Sequence, residues 1–208
     1  MNFRGAFITG NPVTDGSGAG PWRWSMFLIS PFTYSFSLAC VYLGMRGVMK
    51  LGGFVAVGGP YEIAHPAPDW IWVFPVSIMF MIGSMFVSLF SASRISGPNI
   101  MALSWSGLFT LLGWNFVQFG FGIGMGGSLA FGWIICAVTF MLMGLIPLIF
   151  ILRSFFRSLA ERMNSGIETG TGSTGTDGQL AWSISLILQV ALSVAGFWLG
   201  LVFFKAIS

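Results

Sequence analysis

Stretches without Asp, Glu, Lys, Arg or His divide this chain. The longest lies between Arg94 and Arg153 and holds 58 residues; others are Trp24–Met45 (22), Trp70–Ser93 (24) and Gly178–Phe204 (27). A helix of about 20 apolar residues crosses the roughly 30 Å of bilayer hydrocarbon, so each shorter run is long enough for one span. The longest cannot be one span, because 58 residues at 1.5 Å rise would make a helix of about 87 Å. It reads as a helical hairpin broken at Gly120–Ser128, whose glycines are poor inside a helix and good in a turn.

The pattern predicts an all-α integral membrane protein, a bundle of five transmembrane helices spanning about 24–46, 70–93, 100–120, 129–152 and 181–204. Trp22, Trp24, Trp70, Trp72 and Trp182 fall at span ends, where amphipathic rings settle among headgroups. Pro31 predicts a kink or a late helix start near Ser30. The turn Ser96–Asn99 supplies serine and asparagine able to cap the third helix. Residues 1–21 read as a polar tail without the apolar core of a cleaved signal, and 22–208 as a single transmembrane domain. Within it, 153–178 reads as an amphipathic extension of the fourth helix followed by a Gly/Ser/Thr linker.

Composition agrees: 55% of residues are hydrophobic and only 7% charged, where a soluble domain carries roughly a quarter. The net charge of +3 is spread over segment ends, a topological mark and not a nucleic-acid footprint. Arg4, Arg23, Arg94, Arg153, Arg157 and Arg162 fall on one side and Arg46, Lys50 and Lys205 on the other. The positive-inside rule then puts the N-terminus in the cytoplasm and the C-terminus outside, in a plasma or inner membrane. Cys40 and Cys136 both sit in apolar runs and read as buried hydrophobes, not as a disulfide.

Candidate chemistry is sparse. Glu62, the single histidine His65 and Asp69 cluster in the loop before the second span and are candidate metal ligands or an acid and base pair, although interspersed prolines remove any assured helical spacing. Asn115 and Gln118, three apart on one helix face, and Gln189 are the strongest polar groups inside spans. They suit either interhelical bonding or the lining of a path for a small neutral solute. Gly196 and Gly200 form a Gly-x-x-x-Gly edge, extended in this reading by Ala191 and Ala195, and Ser84, Ser88 and Ala92 form a second small edge. Such edges serve packing within the bundle or association with copies or other subunits. Trp105, Trp114 and Trp198 lie within spans and pack against lipid, a partner or a planar apolar cofactor such as a carotenoid or quinone.

Phosphate-cradling, zinc-hydrolase, serine-hydrolase and c-type haem motifs are missing from the sequence, His65 alone cannot supply a bis-histidine haem, and no lysine lies within a span to hold retinal. The expected function is a non-catalytic helical membrane subunit of a larger homo- or hetero-oligomeric complex, in contact with lipid and other subunits or copies and not with nucleic acid. A solute channel lined by Asn115, Gln118 and Gln189 is the first alternative. A metal or acid/base site at Glu62, His65 and Asp69 is the second.

Overall fold

The computed structural model describes residues 21–50, 67–92, 99–123, 129–168 and 174–208. They form five long helices: α1 (Pro21–Lys50), α2 (Val73–Ala92), α3 (Ser104–Gly120), α4 (Phe131–Glu168) and α5 (Thr174–Ile207). Short 3-10 turns, Asp69–Trp72 and Ile100–Leu103, lead into α2 and α3. All five are long and apolar enough to cross a membrane, and no strand occurs among the described residues. The chain is a multi-pass helical membrane protein.

Polarity is distributed as lipid demands. Ser77, Ser84, Ser88, Ser104, Ser106, Asn115 and Gln189 are buried between helices, whereas Phe80, Phe90, Phe131, Ile135, Phe150 and Val194 face outward. Lipid tails give no hydrophobic drive to helix association, so small residues and interhelical hydrogen bonds hold such a bundle together.

At the centre stands α1, with 50% of its most apolar stretch buried against 11% for α4. It packs on α2, α5 and α3, and α4 leans chiefly on α3. The face that α2 turns inward repeats every three or four residues through Val73, Ser77, Met81, Ser84, Ser88 and Ser91, which is one stripe of a helix. From α5, Ser185, Gln189, Gly196, Gly200 and Phe204 make the equivalent stripe. A β-carbon at Gly196 would collide with the Phe32 carbonyl oxygen, and one at Gly200 would lie 2.5 Å from that of Phe36. The Gly-x-x-x-Gly edge therefore serves packing inside the bundle.

Ala191 and Ala195 do not extend that edge. Both are exposed, because Ala191 and Gly196 are five residues apart and so about 140° apart around a helix. Ser84 and Ser88 do lie on the α1-facing stripe.

Two local expectations change. Rather than starting late, α1 runs unbroken through Pro31, which is buried, and the neighbouring Ser30 hydroxyl donates to the Met26 carbonyl at 2.6 Å. The ends of the expected linker are helical, with α4 continuing to Glu168 and α5 beginning at Thr174, while residues 169–173 lie outside the described ones. Propagating a helix adds one hydrogen bond per residue fixed, so an established span extends through residues of modest propensity.

The hairpin closes as its glycines predict. Gly122 adopts a positive φ of 64° just after α3, and the Ala130 N–H donates to the Gly120 carbonyl at 3.0 Å. Close approach of α3 and α4 then depends on Gly113, Gly120 and Gly144; a β-carbon on Gly144 would stand 2.5 Å from the Thr110 hydroxyl.

Candidate functional site: the polar seam along α3

A side-chain acceptor opens the helical hairpin. Asn99 accepts from the Met101 N–H at 3.0 Å and from the Ser88 hydroxyl of α2 at 3.2 Å, capping the turn that leads into α3. Gln189 of α5 accepts from the Ile100 N–H at 3.1 Å, while its amide nitrogen donates to the Ser185 carbonyl and hydroxyl at 3.3 and 3.2 Å. The Tyr34 hydroxyl of α1 donates to the Ser104 carbonyl. Three helices thus meet the start of α3 through side-chain hydrogen bonds.

The other end of α3 differs. Asn115 is fully buried and its amide nitrogen donates to the Tyr42 carbonyl of α1 at 3.0 Å. That bond fixes the remaining Asn115 amide atom as an acceptor. Among the described residues it has no partner, and neither has the buried Gln118 carbonyl oxygen one turn further on. The hydroxyls of Ser106 and Thr110 are likewise unpartnered, so all four such oxygens belong to α3. An orphaned buried acceptor costs about 1–3 kcal/mol, which makes this helix the place where the interior is least satisfied.

Tyr42 and Arg46 border the same end of the seam. An Arg46 guanidinium N–H donates to the Tyr42 hydroxyl oxygen at 3.4 Å, and both side chains are half-buried. The links Tyr34 to Ser104 and Tyr42 to Asn115 show α1 and α3 running parallel, which sets Gln118 level with the turn carrying Arg46. Neither tyrosine stood out in the sequence, although a chain with three tyrosines that buries one in an apolar run offers a signal: its hydroxyl needs a partner there.

The sequence candidates are thus brought together in part. Asn115 and Gln118 share the far end of the seam, whereas Gln189 is paired at the near end, more than about 20 Å of helix rise away. Asp69 is exposed at the start of its 3-10 turn, and Glu62 and His65 lie outside the described residues. Trp105, Trp114 and Trp198 are all exposed on the outside of the bundle. Trp105 begins a ladder of rings that crosses from α3 to α4 through Phe109, Phe140, Phe116 and Trp133, with successive centroids 4.5, 5.4, 4.9 and 5.5 Å apart. Trp70 packs over Gly47 and against Phe204, with ring centroids 5.1 Å apart.

Between α1 and α2 a cleft of about 440 Å³ opens sideways past Met26, Ile29, Phe80, Gly83 and Val87. Its serines, Ser30 and Ser84, donate to carbonyls of their own helices. Both Cys40, in the α1–α5 seam, and Cys136 are free thiols. No family model, curated protein or solved structure matches this chain.

Proposed function

We propose that the chain is a non-catalytic helical membrane subunit that packs into a larger complex, oriented with its N-terminus in the cytoplasm and its C-terminus outside a plasma or inner membrane. The observation that supports this most is the placement of α4. It rests chiefly on α3, and its remaining surface presents Ile135, Leu142, Ile146, Ile149 and Phe150 laterally. A helix carried on the rim of a bundle is well placed to meet another transmembrane helix as well as lipid. The half-exposed rings of Trp105 and Trp133 at the two ends of the aromatic ladder suit contact with lipid or with an apolar cofactor such as a carotenoid or quinone. Purification in mild detergent with mass spectrometry of co-migrating species should show a second copy, another subunit or a bound pigment. A lone monomer carrying no absorbing group would overturn the proposal.

A second reading has a specific observation in its favour. The unpartnered oxygens of Asn115 and Gln118 suit a facilitator for a small neutral solute, with Gln189 left out of the lining because it is engaged by Ile100 and Ser185. Flux of such a solute into liposomes should fall to background when Asn115 and Gln118 are both replaced by leucine. Flux unchanged by the replacements would remove this reading. The metal or acid/base reading of Glu62, His65 and Asp69 predicts stoichiometric metal lost in His65→Ala, by elemental analysis.

A further inference from the structure

The two ends of the α3–α4 hairpin are held very differently. At the start, the hydrogen bonds from Ser88 to Asn99, from Ile100 to Gln189 and from Tyr34 to Ser104 tie it to α2, α5 and α1. At the far end, among the described residues, one side-chain hydrogen bond, from Asn115 to Tyr42, joins α3 to α1. Between these ends Leu108 and Leu111 of α3 pack against the cluster that contains Tyr34 and Leu38 of α1, and among the described glycines none makes here the close backbone contact that brings α5 onto α1 and α4 onto α3. The hairpin is therefore tight within itself and pinned at one end.

We infer that the α3–α4 hairpin swings about its pinned end at Asn99–Ser104 and opens a hydrated crevice against α1, with Tyr42 and Arg46 on one wall and Asn115 and Gln118 on the other. In the closed arrangement two amide oxygens are buried without a donor among the described residues. Opening lets water donate to them, so part of the loss of helix contact is returned as hydration. The opened walls are complementary, since Tyr42 and Arg46 offer donors and the two amides offer acceptors. Water is the occupant for which this motion is argued, and the motion holds whether the chain acts as a subunit or conducts a solute.

Thiol accessibility in lipid nanodiscs tests it. With Cys136→Ser as background and Cys40 kept as the reference buried in the α1–α5 seam, single substitutions Gln118→Cys, Leu111→Cys and Ser104→Cys place a thiol along the α1-facing side of α3. Ser104→Cys leaves intact the backbone carbonyl that Tyr34 uses. A water-soluble thiosulfonate should label the three in falling order of rate, with Leu111→Cys at least about ten-fold faster than Ser104→Cys and Cys40. Equal, slow labelling at positions 111 and 104 would show that no crevice opens. Equal, fast labelling at both would show a hairpin that detaches as a whole, and would overturn the pinned hinge. Hydrogen exchange on the unsubstituted chain gives a second reading: amides of 111–118 should exchange at least about ten-fold faster than those of 35–41 in α1, and equal protection would reject the motion.

Discussion

One helix, α1, meets two neighbours by opposite means. Against α5 its backbone is approached so closely that Gly196 and Gly200 leave no room for a β-carbon beside Phe32 and Phe36, and Cys40 lies 3.8 Å from the Gly200 carbonyl. Against α3 it packs through the cluster that contains Tyr34 and Leu38 and is tied by single hydrogen bonds. The first interface gains from many van der Waals contacts, each small and collectively large. The second gains from a few polar links, in a medium where interhelical hydrogen bonds average only about 0.6 kcal/mol. Two parallel contacts of the same helix thus differ in how readily they part.

Overfilling the tight interface should have the largest effect. Gly196→Ile inserts a branched side chain where even a β-carbon meets the Phe32 carbonyl, and should lower unfolding stability by about 3 kcal/mol, measured by denaturant titration in mixed micelles. Gln189→Leu comes next, since it orphans the Ile100 N–H; the expected loss is about 1–3 kcal/mol, and a variant as stable as the parent would mean the near end is not pinned as described. Tyr34→Phe removes the hydroxyl link to Ser104 and should cost about 1 kcal/mol, with faster thiol labelling at Ser104→Cys as a second readout. Gly83→Ala should cost nothing and raise stability by at most about 1 kcal/mol, because a β-carbon there meets nothing within 4 Å. A large loss at Gly83 would blur the contrast between glycines that seat a helix and those that do not.

The spacing of apolar runs made the five helices legible, and the glycine cluster after Gly120 marked the hairpin turn. Asn115, Gln118 and Gln189 were equally visible as amides in apolar surroundings. Their partners were not, because Tyr42 lies 73 residues from Asn115 and Gln189 lies 89 from Ile100. The serine stripe of α2 stands in the sequence at helical spacing through Ser77, Ser84, Ser88 and Ser91. Ala191 and Ala195 show the converse, small residues that share no face with Gly196 and Gly200.

The sequence by itself determined the solvent of this protein and the number of its long apolar helices, since both follow from run length and charge along one dimension. Only the tertiary structure decided that the glycine edge of α5 is spent on α1, that Gln189 is paired while the Asn115 and Gln118 oxygens have no partner among the described residues, and that α4 rests on α3 at the rim. Those outcomes depend on which helix faces lie together, and a helix of any given sequence has several faces to offer.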